Sequence, residues 1–68
     1  MYHYILSYDE KGPILYGPYP DEEAVLRKQG TLETRGEVFE LSTANRQRAA
    51  RMIKEQSTGL VNFRYEKS

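Results

Sequence analysis

The longest amphipathic pattern in the chain runs from Ser42 to Gly59. Residues at steps of three and four share one side of a helix. In this segment the residues that share one side are Ala49, Met52, Ile53 and Gln56. The opposite side is polar and carries Gln47, Arg48, Arg51, Lys54 and Glu55. Ser42 and Thr43 are candidate N-caps, and Gly59 suits the left-handed position after a helix end. The segment 42–59 therefore predicts an amphipathic helix.

Alternating patterns predict a hairpin at the amino-terminal end of the chain. Residues 2–8 are rich in aromatic and β-branched side chains, which favours a strand. One face would carry Tyr2, Tyr4, Leu6 and Tyr8, and the other His3, Ile5 and Ser7. A polar turn over 9–13 leads to a second short strand over 14–17. Pro18 and Pro20 cannot donate to a ladder, so this strand is expected to end near Gly17 or to lie at an edge.

The remaining elements follow from helix signals and further alternation. Pro20 and Asp21 precede two glutamates, which predicts a helix start, and this short helix is expected to fray at Gly30. Residues 31–36 are a predicted connector. Residues 37–41 alternate as a third strand, and residues 60–65 as a fourth, for which a disordered or partner-paired tail is the alternative.

These elements predict one small α+β domain over residues 1–68, in the order ββαβαβ, with residues 66–68 frayed. The simplest arrangement has two layers, with both helices on one face of a three- to four-stranded sheet and the other face open. A right-handed crossover through the main helix would make the third and fourth strands parallel.

Chain length limits the core that such a domain can build. A chain of 68 residues buries only about 60% of the surface that its unfolded form exposes. Disulfides, structural metals or oligomerisation usually stabilise domains of this size. The sequence contains no cysteine, which excludes disulfides and thiolate zinc sites. We therefore expect the chain to self-associate, with a homodimer as the expected form.

Charge and hydropathy narrow the location and the partners. No apolar run approaches the roughly 20 residues of a membrane span, and no signal sequence is recognisable, so we expect a cytoplasmic protein without membrane contact. The net charge is zero, but residues 1–41 contain eight acidic and four basic residues, and residues 42–68 contain six basic and two acidic ones. This asymmetry of charge can indicate a basic end of the chain that contacts an anionic partner. Alternatively, the two parts interleave in space and the asymmetry largely disappears.

Catalytic residue patterns are scarce in this sequence. His3 is the single histidine, and near the amino terminus it is expected to be a solvent-exposed strand residue. Glu22 and Glu23 are adjacent, so on a helix their side chains diverge and act as first-turn acids. The five glycines are scattered and form no phosphate-binding loop. We expect no enzyme activity, no cofactor, no metal and no small-molecule substrate.

Tyrosines and arginines suggest two kinds of partner. If the face with Tyr2, Tyr4 and Tyr8 is open, its rings could bury against another protein or stack on nucleic-acid bases. The alternative is that these rings pack beneath the helices and Ile5 faces solvent. Nucleic-acid binding would also use the basic residues Arg48, Arg51, Lys54 and Arg64. The leading hypothesis is a non-enzymatic protein-contact module, and the alternative is a small nucleic-acid-binding protein.

Overall fold

The computed structural model describes residues 1–56 and 64–66, which form a four-stranded mixed sheet and two helices. The elements are β1 (Tyr2–Asp9), β2 (Gly12–Tyr19), α1 (Glu22–Gln29), β3 (Glu37–Leu41), α2 (Arg46–Gln56) and β4 (Arg64–Glu66). A small α+β domain is thus confirmed. Part of the predicted fourth strand, residues 60–63, lies outside the described residues, as do Gly59 and residues 67–68.

The strand order in the sheet is β3-β1-β2-β4. β1 is antiparallel to both β2 and β3, and β2 is parallel to β4. β2, β3 and β4 therefore point the same way, and β1 opposes them. β3 and β4 run parallel to each other, but they lie at opposite edges of the sheet.

Each face of the sheet is covered by a different helix. On one face, Tyr4, Leu6 and Leu15 pack with the α2 residues Ala49 and Ile53. On the other face, Ile5 and Tyr19 pack with Val25 of α1. The expectation that both helices share one face is therefore wrong. Because β1 has buried residues on both faces of the sheet, each face needs its own cover.

Connection handedness explains why the helices are separated. The connection β2-α1-β3 joins parallel strands and crosses β1 in one direction, whereas β3-α2-β4 joins parallel strands and crosses back in the other. Connections between parallel strands of a sheet are nearly always right-handed. Two crossovers of one hand that travel in opposite directions must use opposite faces of the sheet.

β2 is longer than its proline content predicts. It continues through Pro18 to Tyr19, and the pairing register with β1 shifts between His3 and Ile5. Gly17 has a φ of +126°, and its Cα lies against the backbone oxygen of His3, so a β-carbon there would come within 2.9 Å of that atom. An irregularity of this kind lets a strand continue past a residue that cannot donate to the ladder.

Side-chain caps fix the start of both helices. Asp21 accepts a hydrogen bond from the Ala24 amide at 2.8 Å, which confirms the predicted start of α1. Asn45, not Ser42 or Thr43, caps α2, because its Oδ1 accepts a hydrogen bond from the Arg48 amide at 3.0 Å. Thr43 Oγ1 instead accepts from the Asn45 amide and shapes the turn before the helix. Asparagine is as good an N-cap as serine, so local sequence did not decide between them.

Two buried polar side chains attach the loop 31–36 to the rest of the fold. Ser7 Oγ donates to the Thr34 carbonyl at 2.7 Å, and Gln29 Nε2 donates to the Arg35 carbonyl at 3.3 Å. Both side chains are almost fully enclosed, so each needs such a partner. The loop then enters β3 through Gly36, whose φ is +71°.

Candidate functional site

The predicted tyrosine row is interrupted in the structure. Tyr2 and Tyr8, at the two ends of β1, are 39% and 47% exposed, but Tyr4 between them is fully buried. Tyr4 and Leu6 lie under α2 and belong to the core. An open face with three rings in a row is therefore wrong, and the residues that remain accessible are Tyr2 and Tyr8 as separate positions.

The contacts of Tyr4 are structural, because they lie within the fold and not on an accessible surface. Its hydroxyl donates to the Thr43 carbonyl at 2.6 Å, which ties β1 to the turn before α2. Burial raises the pKa of the Tyr4 phenol above its ordinary value, an effect that the nearby Arg46 charge partly offsets. The Arg46 side chain is half-buried beside Tyr4.

The predicted basic surface divides into two parts. Arg48 and Arg51 are exposed on α2, and Lys54 is half-buried there. Arg64 pairs in register with Ile14, which places its side chain on the α1 face of the sheet. The structure thus does not bring Arg64 together with Arg48, Arg51 and Lys54.

Arg64 is already engaged by an acidic side chain. Its guanidinium forms an ion pair with Asp9 and lies 3.4 Å from the Gly12 carbonyl oxygen. The hydrogen bond from the Lys11 amide is the main cause that lowers the pKa of the Asp9 carboxyl, and Arg64 adds to it. This pair links β4 to the tip of the β1-β2 hairpin, which is a structural role.

A pocket of about 690 Å³ lies at this end of the sheet, between the hairpin and the loop 31–36. Its charged residues are mixed in sign: Asp9, Glu10, Lys11, Glu33 and Arg64. Lys28 Nζ lies 5.1 Å from the ring centroid of Tyr16, another residue of its wall. Neither sign of charge dominates, so the pocket lacks the focused potential that selects a small ionic ligand.

His3 is more buried than expected. Its side chain is 13% exposed, and its Nε2 lies 3.5 Å from Glu40 Oε2 on the neighbouring strand. The two residues are directly opposite each other in the β1-β3 ladder. His3 is thus a cross-strand partner, not a solvent-exposed residue.

The β3 strand presents an edge that the described residues do not pair. β3 pairs with β1 on one side and is the terminal strand of the sheet on the other. Val38 is 37% exposed, and Phe39 is half-buried against the α2 core. A strand edge of this kind offers unpaired backbone groups to another strand. The sequence predicted β3 itself, but it could not place β3 at an edge because strand order depends on non-local pairing.

Comparison with protein-family models, with curated proteins and with solved structures found no match for this chain. Within residues 1–56 and 64–66, neither helix is long and apolar enough to cross a membrane. The same residues contain no group of three or more histidine, aspartate or glutamate side chains that could bind a metal ion. The site must therefore be interpreted from its own geometry.

Proposed function

We propose that this chain is a protein-contact module that forms a homodimer through the β3 edge of its sheet. The observation that carries the proposal is the position of β3 as a terminal strand with the accessible Val38 and the half-buried Phe39. Another strand added to this edge would satisfy its outward backbone groups and cover both side chains. The proposal includes a cytoplasmic location and no enzyme activity or cofactor.

The limited core supports self-association over isolated function. The main core contains the small residues Ala49 and Ala50, and the second core has three buried members, Ile5, Tyr19 and Val25. A dimer that buries the β3 edge would add apolar contact to the α2 core through Phe39. Dimerisation would stabilise the folded chain by mass action, since only the folded form has a β3 edge with which a second copy can pair.

The nucleic-acid alternative has less support from the geometry. Its four basic residues divide between the two faces of the sheet, and Arg64 is neutralised by Asp9. Tyr8 is followed in the chain by Asp9, which is already paired with Arg64, and by Glu10, whose charge would repel phosphates. Arg48 and Arg51 remain accessible on α2, but exposed cations on one side of a helix are common on solvated helices.

Light scattering coupled to size exclusion tests the proposal, with two matched substitutions. Val38→Glu places a charge beside the β3 edge, whereas Leu26→Glu places one on α1, where Leu26 is 50% exposed. We expect a dimer at high micromolar concentration, retained by Leu26→Glu and weakened by Val38→Glu. A monomer at every concentration would refute the proposal. Loss of the dimer in Leu26→Glu alone would move the contact surface to α1 and would equally refute the β3 edge.

A further inference from the structure

The β3 edge restricts how a second copy can pair with it, and the following inference rests on the proposed homodimer. A closed dimer of identical chains requires a two-fold axis. If two copies of β3 extend one continuous sheet, this axis is normal to the sheet and the strands are antiparallel. Each residue then faces a residue from the same side of the sheet, because opposed side chains in an antiparallel pair share a face.

Only a few registers satisfy this condition within β3. If the axis passes through Phe39, all five residues of Glu37–Leu41 pair. If it passes through Val38, the ladder loses two pairs, because Glu40 would face Gly36, whose φ of +71° is incompatible with an extended strand. If it passes through Glu40, the two copies of this carboxylate face each other, and like charges directly opposite are destabilising.

We infer that two copies of β3 pair antiparallel about a two-fold axis through Phe39. Glu37 then faces Leu41 of the second copy, Val38 faces Glu40, and the two Phe39 rings meet across the axis. No carboxylate lies directly opposite another in this register. The two sheets become one eight-stranded sheet, with both copies of α1 on one face and both copies of α2 on the other.

The contact is small compared with obligate interfaces. Five residues from each strand bury less than the roughly 1,200 Å² typical of stable specific complexes, so the dimer belongs to the weak, reversible class. Its affinity should therefore be sensitive to single charges. Because Val38 faces Glu40 twice by symmetry, a charge introduced at position 38 acts on two pairs at once.

A pair of opposite charge substitutions at position 38 tests the register. Val38→Lys would meet two carboxylates, and Val38→Glu would create two like-charge pairs, so dimerisation should differ by about tenfold or more in favour of the lysine variant. The difference should shrink at high salt. An axis through Val38 would weaken both variants alike, and an axis through Glu40 would leave both nearly unchanged. Either of these results would overturn the inference.

Single cysteines give a second and independent measure of register, since the chain has no native thiol. Val38→Cys and Glu40→Cys change exposed side chains, so both variants should fold. The two are mixed and mildly oxidised, with Glu10→Cys in the hairpin tip as the control. Random encounter would join unlike variants in about half of the disulfides. In the Phe39 register position 38 faces position 40, so most disulfides should join unlike variants, because disulfides need close Cβ atoms.

The outcomes separate the register from the proposed function. An excess of the mixed disulfide over both like disulfides supports the Phe39 register. Two results would overturn the register but not self-association, provided that light scattering shows a dimer. One is a predominance of disulfides between like variants. The other is cross-linking no greater than that of Glu10→Cys. A monomer that cross-links no faster than Glu10→Cys overturns both.

Discussion

At the scale of single residues, Tyr4 shows why an aromatic-rich strand need not be a binding surface. The ring fills the core beneath α2, and the hydroxyl finds the Thr43 carbonyl at 2.6 Å. A buried tyrosine usually needs such a partner for its polar end. Tyr2 and Tyr8 have the same alternation in sequence, but they lie beyond the area that α2 covers. Position relative to the helix, not residue type, decides which ring is accessible.

Replacement of Tyr4 by phenylalanine tests this role. Tyr4→Phe removes the bond to Thr43 and leaves a carbonyl unpaired, so we expect the free energy of unfolding to fall by about 1 kcal/mol at neutral pH. The pKa of the Tyr4 phenol is raised on folding. Its contribution is therefore complete below the ordinary value of 10.0 and is lost as the pH rises above that value.

Urea unfolding of both proteins between pH 7 and pH 11 gives the measurement. The difference in stability between the native chain and Tyr4→Phe should narrow above about pH 10. A difference that stays constant or widens with pH would mean that burial does not disfavour the Tyr4 phenolate. Both proteins must be measured at one concentration, because dimerisation would otherwise contribute to the stability.

At the scale of elements, Gly36 determines where β3 begins. Its left-handed backbone turns the loop 31–36 into the strand, and it lies directly against β1. A β-carbon at this position would come within 2.3 Å of the Leu6 carbonyl oxygen, which belongs to the backbone and cannot easily move. The start of the edge strand is thus fixed by one residue with no side chain.

The variant Gly36→Ala should be destabilised by about 2 kcal/mol or more, since it combines an unfavourable φ with a backbone clash. Gly30→Ala is the matched control. Gly30 has an ordinary helical φ of −66°, and its added β-carbon would lie 3.5 Å or more from its neighbours. We expect the control to be neutral or slightly stabilised. Equal losses in the two variants under chemical denaturation would contradict the role given to Gly36.

Local signals in the sequence predicted the elements better than their arrangement. The hairpin, the Asp21 start of α1 and β3 were all predictable, because alternation and capping act within a few residues. The extension of β2 depends on the register shift at Gly17, and the Asn45 cap competes with equally good neighbours. The exposure of the tyrosine row could not be predicted, because it depends on which face of the sheet α2 covers. That choice is a property of the whole topology.

At the scale of the molecule, topology explains both the enclosed core and the remaining edge. Two crossovers of one hand, travelling in opposite directions, cover both faces of the sheet and leave β3 as a terminal strand. β1 is buried on both faces, and its central residues Tyr4 and Ile5 belong to different cores. When helices cover both faces of a sheet, the edges remain available for contact with another chain. A strand of that chain can pair with such an edge.

Hydrogen exchange measured against protein concentration tests the β3 contact most directly. The outward amides of Glu37–Leu41 should exchange slowly at concentrations that favour the dimer and faster on dilution, because pairing with a second strand protects them. The inner amides of β1, which are paired within one chain, should show much less concentration dependence. Exchange in Glu37–Leu41 that is independent of concentration, in a sample that light scattering shows to contain dimers, would contradict assembly through this edge.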